Sequence, residues 1–136
     1  MATPYHLSVV TPEKVFFSGE TTQITTRLTE GDIGILAGHT SLVSSLPSGA
    51  LRILQEDGSW RVAAISSGIL KVGREKTTIL ANAAEWADEI DLERAKASEK
   101  NARERIKQGK EERDIFVAEL KLQRALNRIS VKSSLE

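Results

Sequence analysis

The chain has 136 residues, enough for one domain or two small ones, and 40% of them are hydrophobic, enough for a buried core. Its 19 Lys and Arg residues balance its 19 Asp and Glu residues, so the net charge does not favour nucleic-acid binding. The absence of cysteine excludes disulfides, thiol catalysis and cysteine-ligated zinc, and no apolar run approaches the ~20 residues of a membrane-spanning helix. The two histidines, His6 and His39, lie far apart in the sequence, and we expect no metal site.

Strand patterns separated by turn residues fill the chain from Tyr5 to about Ala83. Alternating and β-branched residues predict strands near residues 7–9, 15–17, 21–28, 33–36, 50–54, 60–65, 69–72 and 77–80. The strongest hairpin signal is Asp57-Gly58, which lies between two apolar runs. Many short strands at nearly regular spacing predict a sandwich or a barrel rather than βαβ units.

The chain from Asp91 to Lys132 has the pattern of a two-helix hairpin with a break at residues 108–110. Apolar residues recur at alternating spacings of three and four, which predicts one inward-facing seam on each helix. The seam residues are Leu92, Ala95, Ala102 and Ile106 on the first helix and Ile115, Ala118, Leu122, Ala125 and Ile129 on the second. Alanine buries little apolar surface, so we expect a marginally stable, movable hairpin.

Strands followed by helices predict an α+β fold with segregated parts. Eight of the nine glycines precede residue 80, and only Gly109 follows it. We therefore place a domain boundary near residues 84–90 and predict a β domain at 1–84 and a helical domain at 85–136.

Charged residues gather at the open end of the predicted hairpin. Asp88 or Asp91 is the candidate N-cap of the first helix. Arg94 lies 15 residues before Gly109 and Arg124 lies 15 after it, so the two residues lie at the same level along the axis of the hairpin. Arg128 lies one helical turn beyond Arg124, nearer the open end. Three guanidinium groups need an acidic partner, and their forked donors suit phosphate. A local salt-bridge cluster without a ligand is the equal alternative.

Two segments together resemble the epsilon subunit of F-type ATP synthases. Residues 30–40, EGDIGILAGHT, resemble the family's E-G-x-[IL]-G-[IV]-x-P-G-H segment, with Ala37 in place of the usual proline. Residues 66–72, SSGILKV, resemble its S-G-G-[FI]-x-x-V segment, with Ser67 in place of the second glycine. The likeness extends over essentially the whole chain.

The resemblance implies an N-terminal antiparallel β-sandwich that docks on the gamma subunit and touches the membrane-embedded c-ring, with Asp32 and His39 in the loop that faces them. It also implies a C-terminal antiparallel helical hairpin that folds down on the sandwich or extends along gamma. In the extended state the hairpin blocks rotation against the alpha and beta subunits. A basic stripe would then contact acidic surface of the beta subunit, and a solvated helix face is the alternative. The stripe consists of Lys121, Arg124, Arg128 and Lys132.

The fragment from Ile90 to Ala95 matches the [IL]-D-x-x-R-A motif of epsilon subunits that bind ATP in the folded-down state. By that likeness Glu85 would face the adenine, while Asp91 and Arg94 would contact base, ribose or phosphate. Arg124 and Arg128 would hold phosphate. Nucleotide-binding relatives often carry arginine ten residues after the aspartate, and this chain has Asn101 there.

We therefore predict a non-catalytic central-stalk subunit of a proton- or sodium-translocating rotary ATP synthase. It couples gamma to the c-ring and inhibits ATP hydrolysis through its hairpin, with ATP as a regulatory ligand and no required cofactor. No signal or transit peptide pattern opens the chain, so we expect a peripheral protein at the cytoplasmic face of a bacterial cell membrane, with an organelle-encoded copy as the alternative. The rival function is a free-standing ATP-sensing adaptor.

Overall fold

In the computed structural model, which describes residues 2–134, the chain consists of eight β-strands, one 3₁₀ turn and two α-helices. The two compact units divide between Trp86 and Ala87. The predicted α+β order of strands followed by a helical hairpin is confirmed. The elements in chain order are β1 (Tyr5–Val10), β2 (Val15–Thr21), β3 (Gln23–Leu28), β4 (Gly31–Leu36), β5 (Leu42–Leu46), β6 (Gly49–Leu54), β7 (Trp60–Val72), β8 (Lys76–Trp86), the 3₁₀ turn (Ala87–Glu89), α1 (Leu92–Gln108) and α2 (Glu112–Ser133).

The long strands β7 and β8 take part in both layers of the sandwich. One edge of β7 is shared, because β6 pairs with its first half and β5 with its second half. The strand order is therefore β2–β1–β8–β7–β5 in the first layer and β8–β7–β6–β3–β4 in the second. The inner faces of both layers form one core, whose fully buried members include Leu7, Val9, Ile24, Ile35, Leu51, Ile53, Leu70 and Ile79.

One strand pair departs from the predicted antiparallel arrangement. β1 runs parallel to β8, with His6 opposite Lys76 and Val10 opposite Leu80. A parallel pair needs a long connection between its strands. The six strands between β1 and β8 supply that connection, which strand patterns alone do not reveal.

The change from one layer to the other falls between Ile65 and Gly68 of β7. A Cβ at Gly68 would lie 2.1 Å from the carbonyl oxygen of Leu80 on β8. Only glycine allows the two backbones to approach this closely. The predicted hairpin at Asp57-Gly58 is also confirmed, since this loop joins the antiparallel strands β6 and β7 and Gly58 has a φ of 87°.

Trp86 ends β8, which is longer than the predicted strand at 77–80. Its ring stacks on Phe16 at 4.4 Å between centroids and meets the edge of Phe17 at 6.1 Å. Two consecutive residues reach the same ring because the register of β1 and β2 shifts by one residue at this point, which is a β-bulge. The guanidinium of Arg61 covers the Trp86 ring at 3.5 Å. This cluster extends the strand to Trp86, two residues beyond the predicted domain boundary.

Tyr5 links the two layers. Its hydroxyl donates a hydrogen bond of 2.7 Å to the carbonyl oxygen of Ile35 on β4, and the residue is only 6% exposed. Burial disfavours the charged phenolate and raises the pKa of Tyr5 to about 12.

The helical hairpin is held by the predicted alanine seam. Ala95 and Ala102 on α1, and Ala118 and Ala125 on α2, are between 0 and 2% exposed. The larger predicted seam residues, Leu92, Ile106, Ile115, Leu122 and Ile129, are half-buried beside them. Small side chains let the two helices approach closely while burying little apolar surface.

Candidate functional site

Asp91 begins the hairpin as the N-cap of α1. Its backbone is extended, and its Oδ1 accepts a hydrogen bond of 3.1 Å from the backbone N–H of Arg94. The carboxylate thereby satisfies one of the unpaired N–H groups at the helix start and complements the positive end of the helix. Of the two N-cap candidates, Asp88 and Asp91, the structure selects Asp91.

A groove with many basic residues runs between the two helices. Its floor includes the buried seam residues Ala102 and Ala125. Four cationic side chains and one acidic side chain, Glu104, line it. The four cations are Arg105, Lys121, Arg124 and Arg128, and we call the concavity that they line the basic groove. Its polar lining is completed by Ser98, Asn101, Glu104 and Gln108.

The structure brings together some of the predicted nucleotide residues and not others. Arg124 and Arg128 both line the basic groove, whereas Asp91 and Arg94 do not. Arg94 nevertheless lies four residues before Ser98, which places it on the same side of α1, nearer the open end of the hairpin.

The remaining members of the predicted nucleotide site are less accessible or lie elsewhere. Ile90 and Ala95 are 3% and 0% exposed, so their side chains stabilise the hairpin from within. Glu85 belongs to β8 in the sandwich unit, where it pairs with Ala64 in the strand register.

Two buried residues at the open end of the hairpin were missed by the sequence pattern. Val131 on α2 and Ala87 in the 3₁₀ turn are 3% and 1% exposed. The 3₁₀ turn packs against α2, and the Nζ of Lys132 donates to the carbonyl oxygen of Asp88 at 3.4 Å. Val131 falls outside the predicted seam spacing, and its apolar side chain two residues after Ile129 was the available signal.

α2 also exposes apolar side chains away from the seam. Phe116, Val117, Leu120 and Leu126 are 39–60% exposed. Several large apolar residues exposed on one helix indicate a binding surface. This helix therefore presents both a basic and an apolar surface.

The sandwich carries the other predicted contact residues. The prediction that Asp32 lies in a loop is wrong, because Asp32 belongs to strand β4 and pairs with Arg27 in the register of β3. The two side chains form an ion pair of 3.9 Å, and both are largely exposed. The Nδ1 of His39, in the loop after β4, lies 2.7 Å from the carbonyl oxygen of Thr40.

An apolar row crosses the outer face of the first layer. Val15, Val10, Leu80 and Ile69 are consecutive partners in the register of β2, β1, β8 and β7. Val15, Leu80 and Ile69 are 60%, 51% and 47% exposed. We call these four residues the apolar row. Sequence patterns could indicate an outward position for each residue, but the strand order aligns them.

Neither a metal site nor a membrane helix is found in the part of the chain that the structure describes. Within residues 2–134, no group of three or more His, Asp or Glu side chains is placed to hold a metal ion. Over the same residues, no helix is both long enough and apolar enough to cross a membrane.

Comparisons with known proteins cover both units. Residues 4–87 match the family described as the ATP synthase delta/epsilon chain, beta-sandwich domain, and residues 88–133 match its long alpha-helix domain. The chain is 44% identical to the ATP synthase epsilon chain of Ruminococcus albus over 93% of this chain and 95% of that protein. It is 43% identical to the epsilon chain of Bacillus velezensis over 92% and 94% of the two chains.

Solved structures show the same relationship. A chain in the mitochondrial ATP synthase of Euglena gracilis, solved with OSCP, F1 and the c-ring, has a TM-score of 0.78 and 26% identity, covering 96% of this chain and 80% of that one. A chain in the central stalk and c-ring of the Tetrahymena thermophila mitochondrial ATP synthase has a TM-score of 0.59 at 14% identity, covering 93% and 95%, and shares the fold.

Proposed function

Since this chain belongs to the family of ATP synthase delta/epsilon chains, whose epsilon members are non-catalytic subunits, we propose that it joins the gamma subunit to the c-ring in the central stalk of a rotary ATP synthase. The observation that carries this proposal is the match of both units, over nearly their whole length, to epsilon chains. The bacterial relatives further support a peripheral position at the cytoplasmic face of a bacterial cell membrane.

The sandwich offers two surfaces for these partners. The apolar row is flat and exposed, and its burial against gamma would remove apolar surface from water, which favours association. Asp32 lies on β4, the last strand of the second layer, and His39 lies in the loop that follows it. In the strand order, β4 is far from the strands that carry the apolar row. We assign the apolar row to gamma and the region of Asp32 and His39 to the c-ring.

The hairpin supplies the inhibitory element. The fully buried part of its seam consists of four alanines, so little apolar burial opposes its movement. In the extended state, gamma covers the exposed apolar residues of α2. The basic stripe of Lys121, Arg124, Arg128 and Lys132 then contacts acidic surface of the beta subunit. Rotation in the hydrolysis direction is then blocked.

ATP is the proposed regulatory ligand of the compact hairpin. Asp91, Arg94, Arg124 and Arg128 are its proposed contacts. Binding to one state alone stabilises that state by RT ln(1 + [L]/Kd), about 2.7 kcal/mol at a hundredfold excess over Kd. A hairpin with an alanine seam is sensitive to a free energy of this size.

Inhibition is tested with F1 depleted of its own epsilon subunit. Addition of this chain should lower ATP hydrolysis, and the Phe116→Ser, Leu120→Ser double variant should inhibit less because gamma loses its apolar contacts. Val43→Ser is the matched control, since Val43 is an exposed apolar residue of the sandwich. Failure to co-purify with gamma, combined with ATP binding, would favour the free-standing ATP-sensing adaptor instead.

The role of Asp91 in binding ATP can be separated from its role in capping. Asp91→Ser keeps a side-chain oxygen for the backbone N–H of Arg94 and removes the carboxylate. We expect this variant to retain the helix and to lose ATP affinity in calorimetric titration. Unchanged ATP affinity would leave Asp91 as a cap alone.

A further inference from the structure

We propose that the open end of the helical hairpin carries a clasp, which holds α2 against the segment before α1 and opposes the extended, inhibitory state. The clasp consists of Val131 and Lys132 on α2, and of Ala87, Asp88 and Ile90 ahead of α1. All five residues belong to the helical unit. This inference rests on the proposed inhibition by the hairpin, and it names a contact that regulates that inhibition.

The first argument is the unequal length of the two helices. Both helices meet at the connection, and α2 has 22 residues against 17 in α1, so the five extra residues extend about 7.5 Å past the start of α1. The last carbonyl groups of a helix have no partners within it, and an unsupported end frays. Here the 3₁₀ turn packs against α2, and the Nζ of Lys132 donates to the carbonyl oxygen of Asp88 at 3.4 Å. The end of α2 therefore has a partner other than α1.

The second argument is where the helical unit buries its larger side chains. Among the described residues of this unit, seven are buried, and five of these are alanines. The other two are Ile90 and Val131, each 3% exposed. Their side chains have more carbon atoms than the single methyl of alanine, so each removes more apolar surface from water than any alanine of the seam. The largest fully buried side chains of the described unit therefore lie at its open end.

The third argument is that hydrogen bonds fix the backbone on both sides of the clasp. The N–H of Ile90 donates to the carbonyl oxygen of Ala87 at 3.3 Å, which closes the 3₁₀ turn, and Asp91 caps α1 directly after it. On the other side, the hydroxyl of Ser134 donates to the carbonyl oxygen of Val131 at 2.7 Å and completes the end of α2. Two ordered segments therefore present the buried side chains.

The clasp joins two segments that separate when the hairpin extends. Movement of α2 away from α1 breaks the hydrogen bond of Lys132 and uncovers Val131. Lys132 also belongs to the basic stripe, so the closed clasp withholds one cation from the beta subunit. The compact state thus depends on the clasp as well as on the alanine seam, and a weaker clasp shifts the population toward the extended state.

The first test is hydrogen exchange of the full chain, measured by mass spectrometry. Val131→Ala removes two carbon atoms from the clasp and does not lower helix propensity. Helices of this length are marginally stable alone, so opening of the hairpin exposes their amide groups. We expect exchange to accelerate roughly tenfold, at the amides of α1 around Ala102 as well as at the end of α2.

Matched variants separate the clasp from general effects on α2. Val117→Ala makes the same chemical change on the same helix at a residue that is 42% exposed, and it should leave exchange around Ala102 unchanged. Lys132→Met removes the donor and keeps the apolar stem, and it should accelerate exchange about twofold, since its hydrogen bond is long and exposed. Lys121→Met is the control for that change, because Lys121 is an exposed residue of α2 outside the clasp.

The second test is inhibition of F1 depleted of its own epsilon subunit. Val131→Ala should inhibit ATP hydrolysis at a concentration up to about tenfold lower than the unaltered chain, because more of it adopts the extended state. Val43→Ala makes the same change at an exposed residue of the sandwich and should inhibit as the unaltered chain does.

Each outcome has a distinct meaning. Acceleration confined to the last turn of α2 would show that Val131→Ala only frays the helix end, which would overturn this inference and leave the proposed inhibition intact. Faster exchange around Ala102 with unchanged inhibition would overturn the regulatory role of the clasp. If the unaltered chain did not inhibit F1, the proposed inhibition would be wrong, and the exchange rates would still decide whether the clasp holds the hairpin.

Discussion

Replacing Ala118 with leucine tests whether the hairpin depends on a close alanine contact. Ala118 is 2% exposed and belongs to the same seam as Ala102, which is also 2% exposed. Leucine adds three carbon atoms at a position where the neighbouring helix leaves no room. Alanine and leucine have similar helix propensities, so the change acts on packing between the helices rather than within α2.

The expected cost follows from overpacking. Extra carbon atoms in a tightly packed contact destabilise by about 1–3 kcal/mol, because the helices must separate or the side chain must leave its preferred rotamer. If opening of the hairpin exposes its amide groups, that cost accelerates their exchange by roughly 5- to 150-fold. Amide groups of the sandwich should keep their exchange rates, since they belong to the other compact unit.

Hydrogen exchange of the full chain, followed by NMR or mass spectrometry, measures this effect. Ala97→Leu is the matched control, because Ala97 lies on the exposed side of α1 and the chemical change is identical. The reasoning is refuted if Ala118→Leu slows exchange in α1 and α2. Slower exchange would mean that the seam has free space and that alanine does not keep the helices close.

Three further predictions concern single residues. Tyr5 is the only tyrosine, and burial raises the pKa of its hydroxyl from 10 to about 12, so absorbance at 295 nm should show one titration near pH 12. Because the pKa is raised in the folded state, the contribution of Tyr5 to stability is complete below pH 10 and is lost as pH rises toward 12. Thermal unfolding above pH 10 should accordingly depend less on pH in Tyr5→Phe, and equal slopes would contradict this. Gly68→Ala should destabilise by about 3 kcal/mol in urea unfolding because its Cβ meets backbone, whereas Gly34→Ala, with only an ordinary side-chain contact, should be nearly neutral. Asp91→Ala should cost about 1 kcal/mol of hairpin stability by loss of the cap, measured by exchange in α1, and Asp91→Ser should recover most of it.

Much of the fold was predictable because its local patterns agree with its tertiary contacts. The seam of the hairpin has a regular spacing, and each of its four predicted alanines is buried. Asp57 and Gly58 also produced the expected turn, since a positive φ at that place favours glycine.

The end of β8 was harder to predict. Alanine-rich residues before Trp86 fit a strand or a helix equally well in isolation. The strand continues because Trp86 stacks on Phe16 and Phe17, which reach it through a bulge in β2. A bulge depends on the partner strand and leaves little local signal.

The candidate site was predictable in part for a similar reason. Arg124 and Arg128 were found because equal distances from the helix connection place residues at equal heights in a hairpin. That Arg105 and Lys121 share this groove was not predicted, because the side of the hairpin that each cation occupies depends on the rotation of both helices about the seam. The apolar row was hidden for an analogous reason, since its residues come from four strands.

The amino-acid order by itself determined most of the strands, both helices, the alanine seam and the family likeness, because each of these depends on residues near one another or on local motifs. Tertiary structure alone decided the parallel pairing of β1 with β8, the alignment of the apolar row and the set of cations that share the groove. Those features depend on which distant segments become neighbours, and that choice is made by the burial of the whole core rather than by any single segment.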